Sequence, residues 1–396
     1  MKLLIAHNHY RQSGGEDEVF RRECELLRSA SHEVLEYTAH NGEIAEDGIF
    51  SKAKLAARTL WSCDSVARLR ALLHRERPDL AHFHNIFPLI SPAAYYACQR
   101  EGIPVVQSLH NARLICPAAT FYRQGGACLD CLGRSVPWPG VAHACYRNSR
   151  LQTAMVAGMV AGHRILGTWQ EQVDAYIVFT EFYRQQFIST GLPSEKLFVK
   201  PHFVVNDPGM KQTSGDYALF LGRLAPEKGI PTLLKAWQSL RHISLRIVGE
   251  GLMRGEVAKF AEQNPAISAL PHLSREECFD LIKGARFLVW PSEGYNETFG
   301  LVAIEAFACG TPVIAARVGA MKEIVADHES GLHFTPGDPN DLASKVSWAW
   351  FHPAEMEAMG SAARSEYKTK YTAEMNYRLL MEIYYRARSA TVRKAA

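Results

Sequence analysis

A chain of 396 residues, with 47% hydrophobic and 21% charged residues and no long polar tract, has the composition of a folded protein large enough for two ordinary domains. Its formal net charge of +3 comes from scattered basic residues, which argues against nucleic acid as the main partner and leaves at most a modestly basic face for an anionic membrane. No stretch reaches the roughly 18–20 apolar residues of a spanning helix, and Met1 to Tyr10 is too short for a signal sequence.

In chain order, the pattern predicts a strand at Lys2 to His7, a loop with Ser13-Gly14-Gly15, a helix from about Glu16 to Ser29 and a strand at His32 to Tyr37. That is the opening of a βαβ unit. Asp79 to Phe83 and Pro104 to Leu109 read as further strands, with Pro92 to Gln99 as a helix between them, so a parallel sheet is the economical reading. From Cys116 to Cys145 the alternation dissolves into Gly, Pro, Cys and aromatic residues, long for a structureless loop. Regularity returns with a helix near Gln152 to Gln172, a strand at Ala175 to Phe179 and a helix at Glu181 to Ser189. Within this region Leu151 to Thr168 is apolar but broken by Gln152, His163 and Arg164, a segment suited to lie on a membrane surface without spanning it.

Asn206 to Asp216 is polar, carries Pro and Gly and lacks periodicity, which marks a linker. A second cycle follows, with strands at Tyr217 to Leu221, Leu245 to Val248 and Phe287 to Trp290 and a helix at Ile230 to Leu240. The expected fold class is therefore α/β: an amino-terminal Rossmann-like domain over 1–205 with a Cys-rich insert at 116–145, a linker over 206–216, and a carboxy-terminal domain over 217–370. A terminal helix and tail over 371–396 would pack back on the amino-terminal domain and fray from about Arg386.

Chemistry concentrates where strands end. Gly222-Arg223-Leu224-Ala225-Pro226-Glu227-Lys228-Gly229 follows a predicted strand and precedes a helix, a place where a glycine turn lets backbone approach a phosphate and Arg223 and Lys228 supply charge. An ordinary strand–helix turn with two solvated cations would read the same. In Pro291 to Ala316 a polar loop leads into a helix beginning near Phe299 and stopped by Gly310-Thr311-Pro312. Glu297 falls just before that helix and Glu305 inside it, and the backbone amides of Phe299, Gly300 and Leu301 are placed to meet an anion. A favourable first-turn charge and a solvated helix residue would give the same pattern, although Glu305 sits in a small, apolar helix where an unpaired carboxylate is costly. Gly14 and Gly15 bring a second stretch of backbone within reach of a phosphate, or merely make a turn. His110 ends the apolar strand PVVQSLH and should reach its polar end. No G-x-G-x-x-G follows the first strand, which argues against a dinucleotide dehydrogenase.

Four of the nine cysteines, Cys116, Cys128, Cys131 and Cys145, fall within thirty residues and include one C-x-x-C pair. In a reducing cytosol thiols favour metal binding or plain burial over disulfides, so four thiolates for a structural zinc and four buried thiols both remain open.

GRLAPEKG, the glutamates of ETFGLVAIE with seven residues between them, EAFACGTPVIA and the SGGEDE loop together resemble the family-four glycosyltransferases of the GT-B fold, over nearly the whole chain. The resemblance implies two Rossmann-like domains facing each other across a cleft and retaining hexosyl transfer from a UDP- or GDP-sugar. It implies a saccharide or lipid-linked saccharide acceptor in polysaccharide biosynthesis. Arg223 and Lys228 would hold the donor diphosphate, Glu305 the ribose hydroxyls and Glu297 the transferred sugar; the Gly14-Gly15 loop would lie near the donor phosphate and His110 near the reacting sugar. No cofactor is required for catalysis in this reading, the zinc being structural. The chain is expected in the cytoplasm, peripherally associated with the inner face of the membrane. Two features depart from the common pattern: Gly319 is followed by Ala320 where many relatives have paired glycines, and the Cys-rich segment occurs only in a subset. A nucleotide-sugar epimerase or hydrolase of the same fold, or a non-catalytic nucleotide-sugar-binding protein, is the alternative.

Overall fold

The computed structural model describes residues 1–11, 14–44, 49–211, 215–295 and 297–395. Ser13 of the glycine loop, residues 212–214 of the predicted linker and Asn296 lie outside the described residues. The chain forms two compact units. The first comprises Met1–Thr120, Leu129–Lys200 and Asn376–Ala396; the second comprises Phe121–Cys128 and Pro201–Met375.

The strands are β1 (Lys2–His9), β2 (Glu33–His40), β3 (Leu80–Asn85), β4 (Val105–Ser108), β5 (Tyr122–Arg123), β6 (Gly126–Ala127), β7 (Ala175–Val178), β8 (Leu197–Val199), β9 (Ala218–Leu221), β10 (Leu245–Val248), β11 (Ile267–Leu270), β12 (Phe287–Trp290), β13 (Val313–Ala316) and β14 (Gly331–Phe334). The first unit holds a parallel sheet in the order β2-β1-β3-β4-β7-β8 and the second a parallel sheet in the order β11-β10-β9-β12-β13-β14. β3 and β12 are buried along their whole length, as strands covered on both faces must be; this explains the unbroken apolar run FLVW of β12, whereas β3, LAHFHN, buries His82, His84 and Asn85 as well. In both sheets the order reverses beside the first strand, and the crevice outside the carboxyl ends at such a reversal is where open α/β sheets hold ligands. The register between β1 and β3 slips between Ala6 and His7, setting His7 opposite Asn85 at that edge.

Helices cover both sheets: α1 (Gly15–Ser29), α2 (Ile49–Leu60), α3 (Cys63–Glu76), α4 (Ala93–Arg100), α5 (Trp138–Ala142), α6 (Arg150–Ile165), α7 (Thr168–Glu171) and α8 (Glu181–Ser189) come before β9. After it come α9 (Ile230–Trp237), α10 (Arg254–Glu262), α11 (Arg275–Gly284), α12 (Leu301–Ala308), α13 (Gly319–Ile324), α14 (Pro339–Phe351), α15 (Pro353–Lys370) and α16 (Ala373–Ala395). The helix predicted from Gln152 to Gln172 is two, because Gly167 takes a left-handed φ of 67° and ends the first of them. Beyond Arg386, where fraying is predicted, α16 continues to Ala395. It is anchored in the first unit by Tyr377 on His32 and Tyr384 on His82, both at 2.8 Å, and by Arg388 on Asp79 at 3.3 Å.

The segment from Cys116 to Cys145 is not structureless. Within the second unit β5 and β6 form a hairpin closed by the Cys128 amide on the Phe121 carbonyl at 2.8 Å. Within the first unit the Leu132 amide turns back on Leu129 and the Cys145 amide on Gly140, at 2.9 and 3.0 Å.

Candidate active site

In the second unit, β9 ends at Leu221 and the chain turns through Gly222 into a short 3-10 segment, Pro226–Lys228, and then into α9. Gly229 fixes this turn: its φ is 72°, and a Cβ there would stand 1.9 Å from the Pro291 carbonyl oxygen. The approach of these two backbones sets Lys228 against the loop after β12. Lys228 Nζ lies 2.5 Å from Glu297 Oε1, which also accepts from Ser292 Oγ at 2.8 Å and Trp290 Nε1 at 3.4 Å. Burial pushes the Glu297 carboxyl up, but the Lys228 ammonium and these hydrogen bonds outweigh it and hold the group below the ordinary glutamate value. Glu297 is thus a fixed anion whose shape is set by three donors.

Arg223 is placed differently. It is 63% exposed and pairs with Glu227 at 2.7 Å, an exposed ion pair that costs little to open, so this guanidinium is available to an incoming anion.

The helix predicted from Phe299 begins at Leu301. Gly300, with φ at 118°, is its N-cap, and a Cβ there would collide with the Trp290 ring at 2.1 Å. Gly300 and Leu301 therefore stand at the amino-terminal end of α12, with Phe299 buried just before it. Glu305 is half-buried on α12, one turn beyond Leu301 and on the same face.

In the first unit, Gly14 is the extended N-cap of α1 and its amide donates to Asp17 Oδ2 at 2.9 Å. Among the described residues, a Cβ added at Gly15 would meet nothing within 4 Å, and one at Gly14 would meet only Asp17 Oδ2 at 4.0 Å. Contacts with the described residues therefore do not demand glycine at either position, whereas close approach of a ligand to this helix start would. Asp17 Oδ1 also receives His7 Nε2 and His9 Nδ1, each at 3.0 Å. Burial pushes the Asp17 carboxyl up, but the hydrogen bonds from His7, the Gly14 amide and His9 outweigh it and bring the pKa down to about 2. A carboxyl depressed in the folded state stabilises it above the unfolded pKa and loses that contribution as pH falls through the folded one. Resistance to urea is therefore expected to fall between about pH 4 and pH 2, by about 2 kcal/mol for a shift of this size. Midpoints measured for the native chain and Asp17→Asn across that range check it; equal slopes for the two would remove the attribution.

His110 is 7% exposed and lies beyond the end of β4, where its Nε2 meets His84 Nδ1 at 3.0 Å. Its ring lies against Phe179, with centroids 4.9 Å apart. It lines a small cavity of about 50 Å³ with Asn85, Gln107, Asn111 and Arg113.

Among the described residues, groups of three or more metal-ligating side chains with ligand atoms within 4.8 Å of one another are His7, His9 and Asp17, and Glu23, His82 and His84. Neither contains a cysteine. Cys116, Cys131 and Cys145 belong to the first unit and Cys128 to residues that cluster with the second. The main-chain turns described above already tie much of this segment, so the length of the loop does not by itself call for a metal, and no chemistry is routed through one.

Within each unit the structure gathers residues far apart in sequence. Lys228 and Glu297, from two separate motifs, come within 2.5 Å of each other; Ser292 and Trp290, which shape Glu297, carry no motif of their own. His7, His9, Asp17, His84 and Glu23 also escaped sequence reasoning, although the polar ends HNH of β1 and HFHN of β3 are visible interruptions of apolar strands.

Two parallel doubly wound units of this order, with these glycine turns at their carboxyl edges, have the architecture of the GT-B glycosyltransferases. Anabaena HepE in complex with UDP matches it with a TM-score of 0.69 at 17% identity, over 96% of this chain and 99% of that one. The family described as Glycosyltransferase Family 4 matches residues 13–207, and that described as Glycosyl transferases group 1 matches residues 208–366. The chain belongs to the family-four glycosyltransferases. An uncharacterised glycosyltransferase of Methanocaldococcus jannaschii is 37% identical over 136 residues, 33% of this chain and 38% of its own length. D-inositol 3-phosphate glycosyltransferase of Mycolicibacterium smegmatis is 31% identical over 240 residues, 54% of each chain. The matches thus span about half or less of these relatives' own lengths.

Proposed function

We propose that the protein transfers a hexosyl group from a UDP- or GDP-sugar to a saccharide or lipid-linked saccharide acceptor, with retention at the anomeric carbon. The observation that carries this reading is the Lys228–Glu297 pair beside the amino-terminal end of α12. An ammonium, an available guanidinium on Arg223 and helix-terminal amides together suit a leaving diphosphate, and they neutralise it without a divalent ion. Glu305 takes the ribose hydroxyls and Glu297 the transferred sugar. His110 faces the reacting sugar, and the open space at Gly14 and Gly15 admits the donor phosphate. The leaving phosphate accepts the proton of the incoming hydroxyl, so no carboxylate nucleophile is needed. The neighbour bound to UDP supports a uridine nucleotide as the first donor to try.

Thermal unfolding with a panel of nucleotide sugars tests the donor. A ligand at a hundred times its dissociation constant adds about 2.7 kcal/mol, so one donor class is expected to raise the midpoint clearly. No shift with any of them would remove the reading. Transfer that depends on an added saccharide separates this activity from epimerisation or hydrolysis, and the anomeric proton coupling of the product reports retention.

No described helix is long and apolar enough to cross a membrane. Exposed Leu151, Ile165 and Leu166, 70%, 85% and 58% accessible around α6, support peripheral attachment to a membrane surface, where a lipid-linked acceptor resides. If Cys116, Cys128, Cys131 and Cys145 bind a structural zinc, freshly purified protein holds about one equivalent per chain; less than about a tenth removes the site.

A further inference from the structure

Behind His110 the first unit buries a line of charge and imidazole. His84 Nε2 approaches Glu23 Oε2 at 3.3 Å, close enough for electrostatic coupling though not aligned as a hydrogen bond. Glu23 Oε1 forms an ion pair with Lys200 Nζ at 2.8 Å, and Lys200 Nζ donates a hydrogen bond to Asn376 Oδ1 at 3.1 Å. Glu23, His84 and Lys200 are 1%, 2% and 0% exposed. The neighbouring imidazole, His82, is engaged elsewhere, on Tyr384 and Ser108, each at 2.8 Å. Burying an ion pair in this way is rarely worth more than apolar packing of the same volume, so its retention beside a line of histidines asks for a use.

The protons along this line have one consistent arrangement. Burial, reinforced by neighbouring imidazoles, pushes His84 and His110 well below the ordinary histidine value, so both rings are neutral and each has one N–H and one bare nitrogen. The negative carboxylate of Glu23, 3.3 Å from His84 Nε2, electrostatically favours a proton over a lone pair on that nitrogen, which leaves Nδ1 bare. His84 Nδ1 then accepts from His110, whose proton must sit on Nε2.

We propose that Glu23 and His84 are positioning residues that lock His110 in its Nε2–H tautomer, so that its Nδ1 acts only as an acceptor. The assignment of the sugar to His110 rests on the function proposed above; the tautomer lock does not.

Long-range proton–nitrogen NMR correlations on histidine-labelled native protein read the lock without any variant beyond His110→Gln and His84→Gln for assignment. His110 and His84 are both expected with protonated Nε2 and bare Nδ1. A proton on His110 Nδ1, or on both nitrogens, overturns the proposal. Because Glu23→Gln alone would strand buried Lys200, the kinetic variant is Glu23→Gln with Lys200→Gln, checked for native-like unfolding. Its kcat is expected to fall about tenfold or more, the worth of one misdirected hydrogen bond, with the donor KM within about twofold. Native turnover together with an unchanged His110 tautomer overturns the role of Glu23. Native turnover in His110→Ala would instead remove the sugar assignment, leaving the tautomer measurement to decide the lock.

Discussion

Glu297→Gln is expected to fold as the native protein does and to lose about a hundredfold in kcat, with the donor KM changed by less than about threefold. Gln keeps the shape that Ser292 and Trp290 hold, yet it removes the negative charge opposite Lys228. A sugar whose anomeric carbon gains positive charge as the diphosphate leaves needs that charge more in the transition state than in the ground state, so the loss falls on turnover. A hundredfold corresponds to about 2.7 kcal/mol. Glu305→Gln is expected to do the opposite. Its site on α12 suits ribose hydroxyls that do not change during reaction, and losing them raises the donor KM more than it lowers kcat. Steady-state kinetics of both variants decide the division. The reverse pattern, or native constants in both, would falsify it.

The parts of the fold that could be read ahead of the structure are those in which local pattern and tertiary environment agree. Glu181 to Ser189, Leu245 to Val248 and Phe287 to Trp290 have the predicted limits because buried parallel strands and short amphipathic helices carry their burial in their own residues. Where a single residue overrides the pattern, the reading slips. Gly167 divides one predicted helix in two, and Gly300, whose φ of 118° is not helical and whose Cβ space is taken by the Trp290 ring, delays the start of α12 to Leu301. Residues 41–78 carry α2 and α3, which sequence reasoning left unassigned, although the apolar spacing of Val66, Leu69, Leu72 and Leu73 is helical.

The candidate site divides in the same way. Lys228 and Glu297 were legible because each lies in a dense local motif at the end of a strand. Glu23, His84 and Lys200 were not, because what distinguishes them is burial against one another across α1, β3 and the end of β8, a tertiary property that no window of sequence displays. Glu23 in particular looks like any other acidic residue of a helix that also carries Glu16, Asp17, Glu18 and Glu25.

Lys228→Ala is expected to weaken donor binding by roughly tenfold or more, since one charge-assisted contact to a phosphate is worth about 1.5–3 kcal/mol. It should also move the acid limb of the kcat profile. In the native site burial raises the Glu297 carboxyl, while Lys228 contributes the largest opposing influence and holds it below its ordinary value, so the carboxylate persists as pH falls. Without the ammonium, burial acts against only the Ser292 and Trp290 donors. The carboxyl then protonates at higher pH, and turnover, which needs the anion, begins to fall at higher pH than in the native protein. Lys228→Arg keeps a cation and should leave the acid limb near its native place, although a planar guanidinium cannot reproduce a point contact at 2.5 Å and some donor affinity is lost. Donor affinity by calorimetry and kcat from pH 4 to 8 for the three proteins separate the two effects. Unchanged affinity in folded Lys228→Ala would remove Lys228 from the donor site. An unmoved acid limb beside weakened binding would show that Glu297 does not rely on this ammonium for its charge.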